Sequence, residues 1–178
     1  LCAHRPYDPD HRLWNPETGG GAVLDLGVYV VSMAQAFLGT ARDIHCTGRF
    51  APNGVESSAT MNIQYAGGGT AALTCGFDLH GPGRMAIHGT KGWIEIEPRF
   101  HHPTTISVHR SGVLPRIVEA KQVGRGYSHE LMEVSHRLLL GETESATMPL
   151  ADTVEVMRVL EECLTQLGRP QQEAHVAI

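Results

Sequence analysis

Asp25 and Tyr29 are the residues of this sequence whose types and spacing could do acid/base chemistry. Four positions apart in GGGAVLDLGVYVVSMAQAFLG, they lie on one side of any helix formed there and can address one cavity. A phenol ordinarily ionises near pH ~10 and moves protons near neutrality only when a neighbouring cation favours the phenolate. Asp25 alone pushes the other way. The chain has two lysines, Lys91 and Lys121, and neither is close to this segment in sequence. Either an arginine folds over the pair or the cation comes from another domain. The same spacing also describes the solvent stripe of an amphipathic helix, and spacing alone does not choose between the two.

Other groups that could carry chemistry are weaker. Gly19 to Gly27 superficially offers a nucleotide fingerprint, but Leu24 stands where a G-x-G-x-x-G motif starting at Gly19 needs its last glycine, and no strand precedes it. The glycines are better read as a close backbone approach just before a helix. The chain holds 11 histidines, densest at His101 and His102 with His88 and His109. Adjacent strand residues point to opposite faces, no H-E-x-x-H occurs, and His129 and His136 have the wrong interval for two ligands on one helix face, so no metal site is expected. Arg12, Trp14, Arg49 and Phe100 could line a polyol pocket, and each could equally be a surface or core residue. No Ser-His-Asp or Cys-His set has a recognisable context.

The elements that must position these residues follow from periodicity. Residues 1–21 are rich in Pro, Asp and Gly and read as an irregular lead-in. From Ala22 the polar residues fall at 25, 29, 32 and 35, which predicts a mostly buried helix over 22–38 that stops at Gly39. ATMNIQY at 59–65 alternates, Gly67-Gly68-Gly69 turns, and TAALTCGF alternates again, a hairpin. A second pair at 84–88 and 93–97 and strands at 43–50 and 104–109 make about six strands within 43–109, largely antiparallel. A polar stretch at 110–126 leads to closing helices within 127–168, where Leu131, Val134 and Leu138, then Val154, Met157, Leu160 and Leu164, recur at helical spacing. Residues 1–178 thus read as one α+β domain, an open, mostly antiparallel sheet with helices on one face.

Composition narrows the class. With 178 residues, 42% hydrophobic, 19% charged and a net charge of -5, the chain has the proportions of a folded soluble domain. The mild acidity argues against a nucleic-acid partner. Cys2, Cys46, Cys75 and Cys163 form no C-x-x-C pair, which suits a reducing cytoplasm rather than a zinc or redox motif. The apolar run at 22–38 is interrupted by polar residues and is short for a bilayer span, so no membrane segment is expected. A start at Leu1, without an initiator Met or a signal-peptide pattern, suggests a chain cut from something longer.

The run HRLWNPETGGGAVLDLGVYVVSMAQAFLG (11–39) resembles the start of the C-terminal domain in the glucose-fructose oxidoreductase and inositol dehydrogenase (Gfo/Idh/MocA) family, and within it the dimeric dihydrodiol dehydrogenase and xylose dehydrogenase branch. TGRF at 47–50, the hairpin at 57–79, HGTKGWIEIE at 88–97, GYSHELMEV at 126–134 and ESATMPLADTVEVM at 144–157 follow in the order expected of that domain. The resemblance implies a dihydrodipicolinate-reductase-like sheet domain in which Tyr29, in the D-x-x-x-Y form of the family's motif, is the acid/base group at a substrate hydroxyl or carbonyl. Asp25 would orient substrate or tyrosine. Arg12, Arg49, Phe100 and His102 would contribute to the substrate pocket.

The family's N-terminal Rossmann domain, with its glycine-rich loop and an E-K-P segment whose lysine sits beside the acid/base residue, has no counterpart in this sequence. The resemblance therefore implies that NAD or NADP binds to that absent domain, that the fragment alone is inactive, and that the missing lysine is the cation Tyr29 needs. It also implies a small-molecule sugar, polyol or dihydrodiol substrate and a homodimer or homotetramer formed through the sheet face. A non-catalytic binding or oligomerisation module that kept the fold is the alternative, since fold does not dictate function.

Overall fold

The computed structural model describes residues 1–124 and 126–168. The chain divides into two compact units, Leu1–Gly81 with Ala151–Ile178, and Pro82–Leu150. In the first, two 3-10 turns, Arg12–Trp14 and Pro16–Thr18, lead into a π-type turn, Val23–Gly27, that continues as α1, Val28–Leu38. Then come β1 (Ala41–Phe50), β2 (Glu56–Tyr65) and β3 (Thr70–Gly76), and the unit is completed by α3 (Leu150–Gln166). The second unit contains β4 (Met85–Gly89), β5 (Gly92–Ile96), β6 (Thr105–Arg110), β7 (Arg116–Glu119) and α2 (Ser128–Leu139).

In the first unit the strands form an antiparallel ladder in the order β1-β2-β3. The alternation expected of β2 is seen directly: Ala59, Met61, Ile63 and Tyr65 are buried, while Thr60, Asn62 and Gln64 are exposed. α1 and α3 lie on the buried face. A Cβ on Gly27 would meet Met61, Leu160 and Cys75 at 3.3–3.5 Å, so the helix run, the ladder and α3 converge at that point. α3 is tied to β1 by polar side chains as well. Gln166 accepts from the Cys46 N–H at 2.8 Å and donates to the Ile44 carbonyl, and Glu155 accepts from the Ala41 N–H at 3.2 Å. By length and hydropathy the helical run Pro16–Leu38 would suffice for a bilayer span, but half of its apolar window is buried inside the fold.

The antiparallel α+β character is as expected, and the hydrogen bonding departs from a single six-stranded sheet. Among the described residues seven strands form two ladders, β1-β2-β3 and β4-β5-β6-β7. The break follows β3, where Pro82 removes a backbone donor and the flanking Gly81 and Gly83 add no side chain to pack. β7 lies inside the stretch read as polar loop. Only Ile117 and Val118 carry its apolar signal, too little for an alternation to register. The first strand starts at Ala41, two residues early, and the lead-in is structured by its 3-10 turns.

Candidate active site

The lead-in is held by Trp14, which is buried, stands edge-on to Tyr7 and to Phe77 with ring centroids 5.3 Å apart in each case, and donates its indole N–H to the Pro6 carbonyl at 3.0 Å. Fully burying such a side chain contributes on the order of 1.5–3 kcal/mol, enough to fix an otherwise irregular segment. His11 and Asn15 cap the two 3-10 turns with their side chains, at Leu13 and Glu17 respectively. Arg12, exposed on the first of these turns, is thereby directed at the helix.

Arg12 Nη2 reaches Asp25 Oδ1 at 3.3 Å. Of the two sources of a cation left open by the sequence, an arginine folding over is what the structure shows, and it folds onto the carboxylate. The Asp25 side chain is 28% exposed and that of Arg12 69%, so the guanidinium forms the solvent side of the pair. Tyr29 is 44% exposed and lies one turn further on. Val23, Leu26, Gly27, Val30 and Val31 are buried, and Leu24, Asp25, Val28 and Tyr29 form the accessible stripe between them. Asp25 sits in the π-type turn, an irregularity that often marks functional sites.

Arg49, Phe100 and His102 have partners of their own. Arg49, on β1, pairs with Asp78 at 3.6 Å rather than with Asp25, and Ser57 and Ser58 also donate to Asp78. Phe100 and His102 belong to the second unit. Phe100 is buried there, and His102 Nδ1 is 3.0 Å from Gln122 Nε2. Within the first unit the structure brings Arg12 onto Asp25, with Tyr29 one turn further along the same stripe, and gives Arg49 a different partner.

Sequence reasoning missed one residue at this site. Glu56, the first residue of β2, has a fully buried side chain, and its Oε1 accepts from the Val23 N–H at 3.4 Å. Gly21, at φ +121°, is the close approach the glycines announced: a Cβ there would overlap the Glu56 carboxylate. The glycines predict that something must come near but not what, and Glu56 is out of phase with the buried positions of its strand.

This arrangement also tests whether the glycine turn could hold a dinucleotide phosphate. The Gly20 and Gly21 N–H groups donate to the carbonyls of Asn15 and Leu13, both at 2.9 Å, and the helix start already faces a carboxylate. An anion does not fit there. Among the described residues no three His, Cys, Asp or Glu side chains are grouped as a metal would require. Beneath the site three thiols are buried. Burial pushes the Cys75 thiol up to about 12, and Cys163 is raised by its hydrogen bond with Cys46 and then by burial, so neither is a nucleophile.

Known proteins share this arrangement of elements. The aldose-aldose oxidoreductase of Caulobacter crescentus, solved with glycerol, superposes with a TM-score of 0.75 at 22% identity, over 96% of this chain and 52% of that one. A 3-ketoreductase from Actinomadura kijaniata, solved with NADP and TDP-benzene, gives 0.74 at 20% identity, over 93% and 51%. At these identities the likeness is one of fold, and it defines an α+β domain of the kind that forms half of such oxidoreductases. The family model described as the GFO/IDH/MocA C-terminal domain matches residues 1–95, and the chain belongs to that family. The trans-1,2-dihydrobenzene-1,2-diol dehydrogenase of Xenopus tropicalis is 35% identical over 164 residues, which are 88% of this chain and 50% of that protein. The chain spans about half the length of the curated relatives it matches.

Proposed function

We propose that this chain is the substrate-side domain of an NAD(P)-dependent oxidoreductase that transfers hydride between nicotinamide and a sugar, polyol or trans-dihydrodiol. The observation that carries this is the accessible stripe of a member of the GFO/IDH/MocA family on which Tyr29 follows an Asp25 compensated by Arg12. Tyr29 passes the proton to or from the substrate oxygen, and Asp25 with Arg12 orients that oxygen. With Asp25 paired, the stripe that carries Tyr29 holds no uncompensated carboxylate. The nicotinamide cofactor supplies the hydride chemistry and is held by the remainder of a longer protein, since the glycine turn here rejects an anion. On this reading the fragment by itself does not turn over substrate.

Arg49, Phe100 and His102 belong to the same proposal as pocket residues. So does a homodimer or homotetramer formed through a sheet face. One face of the four-stranded ladder presents Met85, Ile87, Ile94, Ile106, Val108 and Val118, all only half-buried. A cytoplasmic location suits four unpaired thiols. In the full-length protein, Tyr29→Phe should lower turnover of an accepted diol or sugar by about 10²- to 10⁴-fold. Near-normal turnover in that variant removes Tyr29 from the mechanism.

A further inference from the structure

The helical run that carries Asp25 and Tyr29 starts without a cap of its own. Ala22 precedes the π-type turn and offers no side-chain acceptor, and Gly27 precedes α1 with none either. The first N–H groups of a helix must nonetheless find partners, and at Val23 the partner comes from a strand 33 residues away: Glu56. The carboxylate occupies the space that a side chain on Gly21 would fill. Its negative charge is placed at the positive end of the helical run.

Glu56 acts together with its own hairpin. Asn53, in the turn between β1 and β2, donates to the Trp14 carbonyl at 2.6 Å, and the turn is closed by Ala51 and Val55 at 2.8 Å. Two tethers three residues apart thus hold the segment from Trp14 to Val23 at both of its ends, Asn53 on the lead-in and Glu56 on the helix. Arg12 and Asp25 lie just outside those two anchors, so the geometry of their pair is set by where the hairpin turn holds the chain. Val55, Glu56, Ser57 and Ser58 are all buried, which makes the turn a rigid base.

We infer that Glu56 is a positioning residue of the proposed active site: through Val23 it fixes the first turn of the helix, and with it the depth at which Asp25 and Tyr29 meet the substrate. The inference rests on the assignment of Tyr29 as the acid/base group.

The test uses the full-length protein and separates reach from charge. Glu56→Gln keeps the length of the side chain and an oxygen acceptor for the Val23 N–H, but drops the charge. Glu56→Asp keeps the charge and withdraws it by one methylene. If Glu56 positions the helix, the Gln variant should keep kcat within about threefold, and the Asp variant should lose about 10- to 100-fold in kcat with the KM for NAD(P) unchanged, a misplacement effect. The ζ-carbon NMR shift of Tyr29 should move in the Asp variant and not in the Gln variant. The reverse order, Asp near normal and Gln impaired, overturns the inference. So does a loss of thermal stability in both with kcat and the tyrosine signal unchanged. Tyr29→Phe run alongside keeps the two ideas apart. If that variant is near normal, the acid/base reading has failed, and if it is impaired while Glu56→Asp is not, only the role of Glu56 has.

Discussion

Gly21→Ala probes the contact between the glycine turn and the buried carboxylate, and its effect has two separable parts. Gly21 has φ +121°, a backbone conformation that an alanine adopts at a cost of about 1–3 kcal/mol. The added Cβ would also overlap Glu56 Oε1 and displace the carboxylate from the Val23 N–H, which forfeits a charged hydrogen bond of roughly 1.5–3 kcal/mol. Gly39 supplies the control. It too has positive φ, at 79°, but nothing lies within 4 Å of its Cβ position, so Gly39→Ala reports backbone strain alone. In urea denaturation Gly21→Ala should therefore be the more destabilising by about 2 kcal/mol. Repeating Gly21→Ala in a Glu56→Ala background should recover most of that difference, because the strain remains and the overlap is gone. Equal losses for the two glycines, or no coupling between positions 21 and 56, would refute the placement of Glu56 against Gly21.

Three further outcomes are expected. Under native conditions a thiol reagent should modify Cys2 quickly and leave Cys46, Cys75 and Cys163 unlabelled until the protein unfolds, because those three are buried; rapid labelling of a second thiol would contradict the packing of α3 on β1. Arg158 holds the Glu155 carboxylate below its ordinary value of 4.5, so this group contributes stability above that pH and loses it as the pH falls through the lower folded value. Glu155→Gln should accordingly lower stability at neutral pH and flatten the acid limb of the stability-pH profile below about 4.5, where the variant and the parent converge. Arg12→Ala should change stability by less than about 1 kcal/mol, and salt should shrink that difference, since the guanidinium is largely exposed.

The parts of the fold legible in the sequence were those with a strong period. The alternation of Ala59, Met61, Ile63 and Tyr65 reports a buried face, whereas the recurrence of Val154, Met157, Leu160 and Leu164 located the last helix but not its face: Val154 and Met157 are exposed, as are Leu131, Val134 and Leu138 of α2, and the face that packs is Val156, Val159, Leu160 and Cys163. β7 was not legible because four residues with two apolar positions carry no period. The division into two ladders depends on where backbone hydrogen bonds stop, which Gly81-Pro82-Gly83 marks only as a turn. At the site, the spacing of Asp25 and Tyr29 was readable because four residues is a local distance on a helix. The partners of that helix, Arg12 and Glu56, are 13 and 33 residues from their contacts, and no local pattern encodes such pairings.

The charge balance at the site sharpens what the rest of the protein must bring. Arg12 and Asp25 form a pair of opposite unit charges at 3.3 Å, so together they present a dipole and no net charge to Tyr29. A dipole falls off quickly in solvent, and a phenol working as a base needs an uncompensated positive charge near its oxygen. Arg49 is paired with Asp78, and Arg158 with Glu155. The lysines, Lys91 and Lys121, belong to the second unit. The arginine that folds over the helix therefore compensates Asp25 and adds no net charge to the stripe. On the proposed reading a cation brought to Tyr29 by the remainder of the protein completes the site, and replacing it should impair turnover as severely as Tyr29→Phe while leaving the Arg12–Asp25 pair intact.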